Sequence, residues 1–262
     1  MVLYIGGSVH SGIQPDWVTS LHVLVVTLFV YTLHRRISAR KMIVDKLDRY
    51  NYILDHPTYT KYVLLLSGLT GTVTFFFLKY DTQIALIFSG IISLGYILPL
   101  VFRKRLRDIG MAKIFLISTV WAVLPILSSI TSQSLIVNVY FFAEHYFFIF
   151  ALTIPFDIRD RALDERAQVS NMANKIGSVN IRKLHDSALI LSVLIACLLF
   201  NIGAYQVKHL IAMMAFYIIL FLVTKDLYKP RKEWYYLVFL DGFIFLKGLI
   251  YIVLGLDFTY VL

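Results

Sequence analysis

The chain has 262 residues, of which 59% are hydrophobic and only 16% charged, with a formal charge of +9. A soluble domain of this length carries about 25% charged residues and an apolar content nearer half. The composition therefore excludes an ordinary soluble globule, and the single cysteine, Cys197, excludes an internal disulfide or a cysteine-based metal motif.

From the N-terminus, the stretch "MVLYIGGSVHSGIQPD" lacks a basic region followed by a long apolar core, so it is not read as a signal peptide. Residues 1–15 read instead either as the remnant of a first span or as the end of a span whose start codon was assigned too late. Eight apolar spans follow, at 17–33, 62–78, 84–101, 112–130, 138–156, 184–202, 208–224 and 235–256. Each holds roughly 17 to 22 residues, enough to cross a hydrocarbon core of about 30 Å. After the first span, segment 42–56 places Ile43, Leu47, Tyr50 and Leu54 at helical spacing, which predicts an amphipathic helix on the inner membrane surface, ended by Pro57.

The basic residues fall into alternate loops. Residues 34–61 hold seven Lys or Arg, 102–113 five, 157–183 six and 225–234 four, together 22 of the 25 in the chain. By the positive-inside rule these loops are cytoplasmic and both termini face outward. The net charge is thus topological, and it argues for no nucleic-acid partner. The predicted fold is all-α, a polytopic transmembrane helical bundle of about eight spans, with residues 1–262 as one integral-membrane domain.

After the fifth predicted span comes "PFDIRDRALDERAQVSNMANKIG", with Asp157, Asp160 and Asp164 three and then four residues apart. On a helix these fall at about 0°, 300° and 340°, within one narrow face. Carboxylates so placed repel one another unless a positive charge lies between them. One explanation is a solvated loop neutralised by the interleaved Arg159, Arg161 and Arg166. The other is a divalent cation, since Mg²⁺ takes hard oxygen ligands and commonly uses one or two carboxylates plus substrate phosphates.

This stretch resembles the second aspartate-rich motif of the UbiA superfamily of intramembrane prenyltransferases. The pattern DxxDxxxD matches Asp157, Asp160 and Asp164, and Gly177 stands thirteen residues after the last aspartate, as the family's glycine does. A position that is usually glycine is Gln168 here. The preceding loop, "GYILPLVFRKRLRDIGMAKIFLISTVWAV", is similar to the family's Tyr-Pro helix end and basic run through Tyr96, Pro99, Lys104, Arg105 and Trp121. The resemblance implies a helical bundle around a central cavity. It implies Mg²⁺ on Asp157, Asp160 and Asp164, and a polyprenyl diphosphate contacted by Arg36, Tyr96, Lys104 and Arg105. The implied activity is transfer of the polyprenyl chain to an aromatic or other lipid-precursor acceptor, as in quinone biosynthesis. The implied location is a plasma membrane, bacterial by that likeness.

The family's first motif, NDxxDxxxD, has no counterpart. No Asp or Glu occurs between Asp16 and Asp45, and with Tyr31-Thr32 as register the acid positions become Leu33, Arg36 and Arg40. Three readings follow. An arginine among Arg35, Arg36 and Arg40 contacts the diphosphate directly; or Asp45 and Asp48 fold back as substitute ligands; or the chain keeps the fold without the reaction, binding a polyprenyl lipid or scaffolding a membrane complex. A transporter would show inverted repeats and broken spans, and neither stands out. Within the spans, Glu144 and His145, Asp241 and Lys247 are ionisable groups that lipid would penalise. A buried Glu144–Lys247 tie and an Asp241 near the cytoplasmic mouth are expected.

Overall fold

A computed structural model of the chain describes residues 1–41, 55–98, 105–106, 112–166, 171–229 and 231–255. Among the described residues the structure is all helix and turn, with no strand. In chain order the helices are α1 (Val2–His10), α2 (Trp17–Lys41), α3 (Pro57–Phe75), α4 (Tyr80–Ile97), α5 (Ala112–Val123), α6 (Leu135–Arg159), α7 (Arg161–Arg166), α8 (Met172–Asn201), α9 (Val207–Thr224) and α10 (Asp241–Gly255). A 3₁₀ turn at Leu124–Ile126 extends α5, and a π-helical stretch at Tyr235–Leu240 leads into α10.

Six stretches are long and apolar enough to cross a membrane: Trp17–Ala39, Tyr80–Ile97, Leu135–Arg159, Met172–Asn201, Val207–Thr224 and Tyr235–Gly255. Their outer faces carry large apolar side chains such as Leu28, Ile91, Ile190, Leu194, Ile211 and Phe245. In a helix that pattern suits hydrocarbon as the solvent, because every backbone polar group is satisfied within the segment. Two of the eight spans expected from the sequence are weaker. α3 has length but carries Ser67, Gly68 and five threonines, and α5 with its turn is a shorter apolar helix, Ala112–Ile126. The amphipathic helix expected at 42–56 falls almost wholly outside the described residues.

The bundle is organised around α6. It packs against α8 along its length and against α5 on another side, and α9 closes on α8. The main core draws Phe148, Ile149, Leu152 and Ile154 from α6, Ala188, Ala196 and Leu199 from α8, and Met213, Phe216 and Leu220 from α9. α2 pairs with α3, tied near one end by a buried hydrogen bond between His22 and Thr74 (2.9 Å). At its start, α2 is capped by the Asp16 carboxylate, which accepts from the Thr19 amide and hydroxyl.

α1 is a nine-residue helix packed on α10 and on the 3₁₀ turn, so residues expected to be a vestige of a span are an integral piece of the bundle. The approach is close enough to require glycine. A methyl on Gly6 would meet the Gly248 carbonyl oxygen at 2.5 Å, and one on Gly248 would meet the Val2 carbonyl oxygen at 2.7 Å. Small residues let membrane helices touch backbone to backbone, where dispersion and weak polar contacts replace the hydrophobic drive. We expect Gly248→Leu to expel α1 and to lower the chain's stability by about 1–3 kcal/mol. Thermal unfolding in nanodiscs checks it, and an unchanged melting temperature would show that the α1–α10 contact is dispensable.

Candidate functional site

The aspartates sit where α6 ends. Asp160 is its C-cap, and the chain turns there into the short α7, which carries Asp164. Asp157 and Asp164 are buried, at 1% and 2% exposure. Asp157 faces the start of α8. Its Oδ2 accepts from the Met172 amide at 2.9 Å and the Ala173 amide at 3.2 Å, two of the otherwise orphan N–H groups of that helix. Asn171, the N-cap of α8, donates to the Asp157 carbonyl (2.8 Å) and to Asp164 Oδ2 (2.9 Å).

Between the two carboxylates lies Lys113, from the first turn of α5. Its Nζ is 3.1 Å from Asp157 Oδ1 and 3.2 Å from Asp164 Oδ2, and the residue is 8% exposed. The positive charge that the aspartate spacing demands is therefore supplied from another helix. Arg159, which pairs with Asp160, and Arg161, which donates to Asn174, do not hold that position. Asp160 is also within electrostatic reach of Lys113 but is paired with Arg159. It is forked by Arg159, with Nε to Oδ1 at 2.9 Å and Nη2 to Oδ2 at 3.3 Å. The same guanidinium reaches Glu233 at 3.1 Å and lies 4.8 Å from the Tyr236 ring centroid.

The Mg²⁺ implied by the family likeness can be tested against this donor set. Mg²⁺ demands near-octahedral oxygen ligands at about 2.0–2.1 Å. Here Asp157 Oδ2 is engaged by two amides, the other Asp157 oxygen and Asp164 Oδ2 face an ammonium, and both Asp160 oxygens are in an arginine fork. As arranged, the three carboxylates do not fit a divalent ion. Nor is any group of three or more His, Cys, Asp or Glu among the described residues placed to hold a metal.

Of the expected diphosphate contacts, Arg36, Tyr96 and Arg105 are among the described residues. Tyr96 lies within electrostatic reach of Lys113, and its ring packs 5.6 Å from His34 of α2. Arg36 is half-buried on α2, and Arg105 is 8% exposed. Lys104, Pro99, Gln168, Asp45 and Asp48 lie outside the described residues. Asp241 is exposed at the start of α10, within electrostatic reach of Arg159 and Arg35, which puts it at the same end of the bundle as the aspartates. Gly177 interrupts α8 with φ +76° and ψ 167°. Open space surrounds it, so the glycine answers to backbone conformation and not to crowding.

Lys113 and Asn171 were invisible to motif reasoning. Lys113 reads as the last member of a basic loop, although it stands at the head of an apolar run. Asn171 carries the weaker signal of an N-cap residue before a helix.

A second charged cluster lies inside the bundle. The pair expected between Glu144 and Lys247 is formed, with Nζ 2.8 Å from Oε1 and 2.7 Å from Oε2, and both side chains are fully buried. Tyr217 donates to Glu144 and lies 2.9 Å from Lys247 Nζ. His145 Nδ1 is 3.0 Å from Glu144 Oε2 and 2.9 Å from the Phe141 carbonyl. Both neighbours are acceptors, so Nδ1 carries the proton. Towards the end away from the aspartates, Tyr205 and Tyr251 share a 2.6 Å hydrogen bond beside His10 and His209. A recess lies elsewhere, an apolar groove of about 420 Å³ between α2 and α3 lined by Val26, Phe29, Gly68, Gly71 and Phe75.

No family model matches the chain, and neither a curated protein nor a solved structure does.

The Glu144–Lys247 pair sets a clear expectation. Lys247→Met leaves a buried carboxylate uncompensated and should cost about 3–5 kcal/mol, whereas the double change Glu144→Gln with Lys247→Met should cost much less. A double-mutant cycle of unfolding free energies in detergent measures it, and additive losses would mean the two groups do not interact.

Proposed function

We propose that this chain is a UbiA-like integral membrane protein that holds the phosphate head of a polyprenyl lipid at the aspartate end of its bundle. It acts as a binder or scaffold and not as a metal-dependent transferase. One observation carries the reading. The carboxylates of the DxxDxxxD stretch, the part of the chain that most resembles the prenyltransferases, are engaged by Lys113, Arg159 and the start of α8. The eight-span topology, with α3 and α5 as crossing members, cytoplasmic basic loops and outward termini, belongs to this reading. The lipid tail lies along apolar helix faces. Its phosphate meets guanidinium groups at the mouth, Arg159 and Arg35, since Arg forks match phosphate oxygens and stay charged.

A second reading is Mg²⁺-dependent transfer of the polyprenyl chain from an allylic diphosphate to an aromatic or lipid-precursor acceptor. A specific feature favours it: Asp157 and Asp164 converge on one point at the end of a spanning helix, and a cation already occupies that point. Its metal would need a different arrangement of these side chains, so no catalytic step is derived from it.

The discriminating experiment is binding of a non-cleavable allylic diphosphate analogue to the chain in nanodiscs, with and without Mg²⁺. The binder reading expects affinity indifferent to Mg²⁺ and to Asp160→Asn, and weakened about tenfold by Arg159→Gln, the scale of one charge-assisted hydrogen bond. Affinity that requires both Mg²⁺ and Asp160 would replace it with the transferase reading. Failure to bind under any condition would remove both.

A further inference from the structure

We infer that Lys113 is the resident cation of the aspartate site, and that its removal converts the site into one for a divalent metal ion. The inference concerns what the site holds and does not depend on a lipid phosphate being bound.

The argument starts from charge balance. Asp157 and Asp164 bring two negative charges into a place almost without solvent, at 1% and 2% exposure. Lys113 contributes one positive charge, and the start of α8, whose Met172 and Ala173 amides point at Asp157 Oδ2, contributes roughly half of another. Asp160, also within electrostatic reach of Lys113, is answered by Arg159, so among these described groups the charges come close to balancing. Adding a divalent ion beside Lys113 would leave it strongly positive, so the lysine and the metal exclude each other. Taking the lysine away leaves the carboxylate oxygens of Asp157 and Asp164 facing a vacated point, with Asn171 donating its amide nitrogen to Asp164 Oδ2 and keeping its oxygen on the Asn174 amide; one or two carboxylates completed by water suit Mg²⁺ or Mn²⁺.

Geometry agrees with charge. The oxygens of Asp157 and Asp164 stand 3.1 and 3.2 Å from one nitrogen. To ligate a metal at the same point, each would close in by about 1 Å, to the 2.0–2.2 Å typical of such ions. Asp157 Oδ1 is buried and in ionic contact with Lys113, and no hydrogen bond to it is formed, so removing the lysine leaves this oxygen without a partner. Three of the four groups, Asp157, Asp164 and Asn171, are held by α6, α7 and α8. Lys113 alone comes from α5, so it can be exchanged without dismantling the rest.

The test uses Mn²⁺ alone as probe, titrated into the purified full chain in detergent, with the free ion read by electron paramagnetic resonance. Wild type should show no binding that depends on Asp157 or Asp164. Lys113→Met should bind one Mn²⁺ per chain at least roughly a hundredfold more tightly than wild type, because the unit positive charge that competes for the same two carboxylates has been removed. Lys113→Met with Asp164→Asn should lose that gain, and Lys113→Arg should not show it. A one-to-one Mn²⁺ site in wild type that Asp157→Asn abolishes would overturn the inference. So would Lys113→Met protein that gains no affinity, or that stays unfolded when Mn²⁺ is present throughout purification. Since no lipid enters the assay, a negative result here leaves the polyprenyl-phosphate reading untouched, and the converse holds as well.

Discussion

The constraint on which this structure depends is the neutralisation of charge where little or no water reaches. Lys113 meets it at one end of the bundle. A single ammonium joins α5 to the end of α6 and to α7, and Asn171 and the two amides at the start of α8 complete the junction. An ion pair in such a place is not a large source of stability, because desolvation offsets most of its attraction. Its effect lies in specificity. With four elements meeting on two carboxylates, a slipped register in any of them strands a buried charge. The polar junction therefore selects one packing of helices whose apolar surfaces alone would tolerate several.

The interior repeats the device. Glu144 lies on α6 and Lys247 on α10, and Tyr217 of α9 bonds to both. Lys247 Nζ also lies 4.3 Å from the Phe148 ring centroid, so the cation is met by a carboxylate on one side and an aromatic face on another. α6 thus carries one carboxylate site within its length and another at its end, each answered by a lysine from a different helix. It packs against α5, α7 and α8 alike. The short α1 fits the same scheme by other means. Lacking charge, it is held by glycine contacts to α10, where shape does what ion pairs do elsewhere.

Local features of the chain were legible in the sequence, and distant partnerships were not. Apolar run length marks the six long membrane helices, because a bilayer imposes a length that composition reveals. The Glu144–Lys247 tie was readable because only a few ionisable groups lie inside spans and opposite charges must find each other there. α3 was harder, since its threonines and glycines serve helix contact and lower its apolar character. Lys113 was missed for a physical reason. It lies 44 and 51 residues before its two partners, and nothing in local spacing distinguishes a lysine that turns inward from one that anchors a loop. Gly177 could be singled out by likeness, but its positive φ belongs to the backbone and leaves no mark beyond the residue type.

The acidic motif shows how far such reading reaches. Spacing determines that Asp157 and Asp164 meet on one side of a helix end, and electrostatics then requires a cation between them. Neither determines which cation. A metal brings its own charge of two and accepts further ligands, so it can receive a phosphate; a lysine completes the charge balance with a covalently tethered group and closes the site. The choice rests on one residue on a neighbouring helix, outside the motif. Two chains with the same DxxDxxxD stretch can therefore share a fold and differ in chemistry, and the residue to inspect is the one opposite the aspartates.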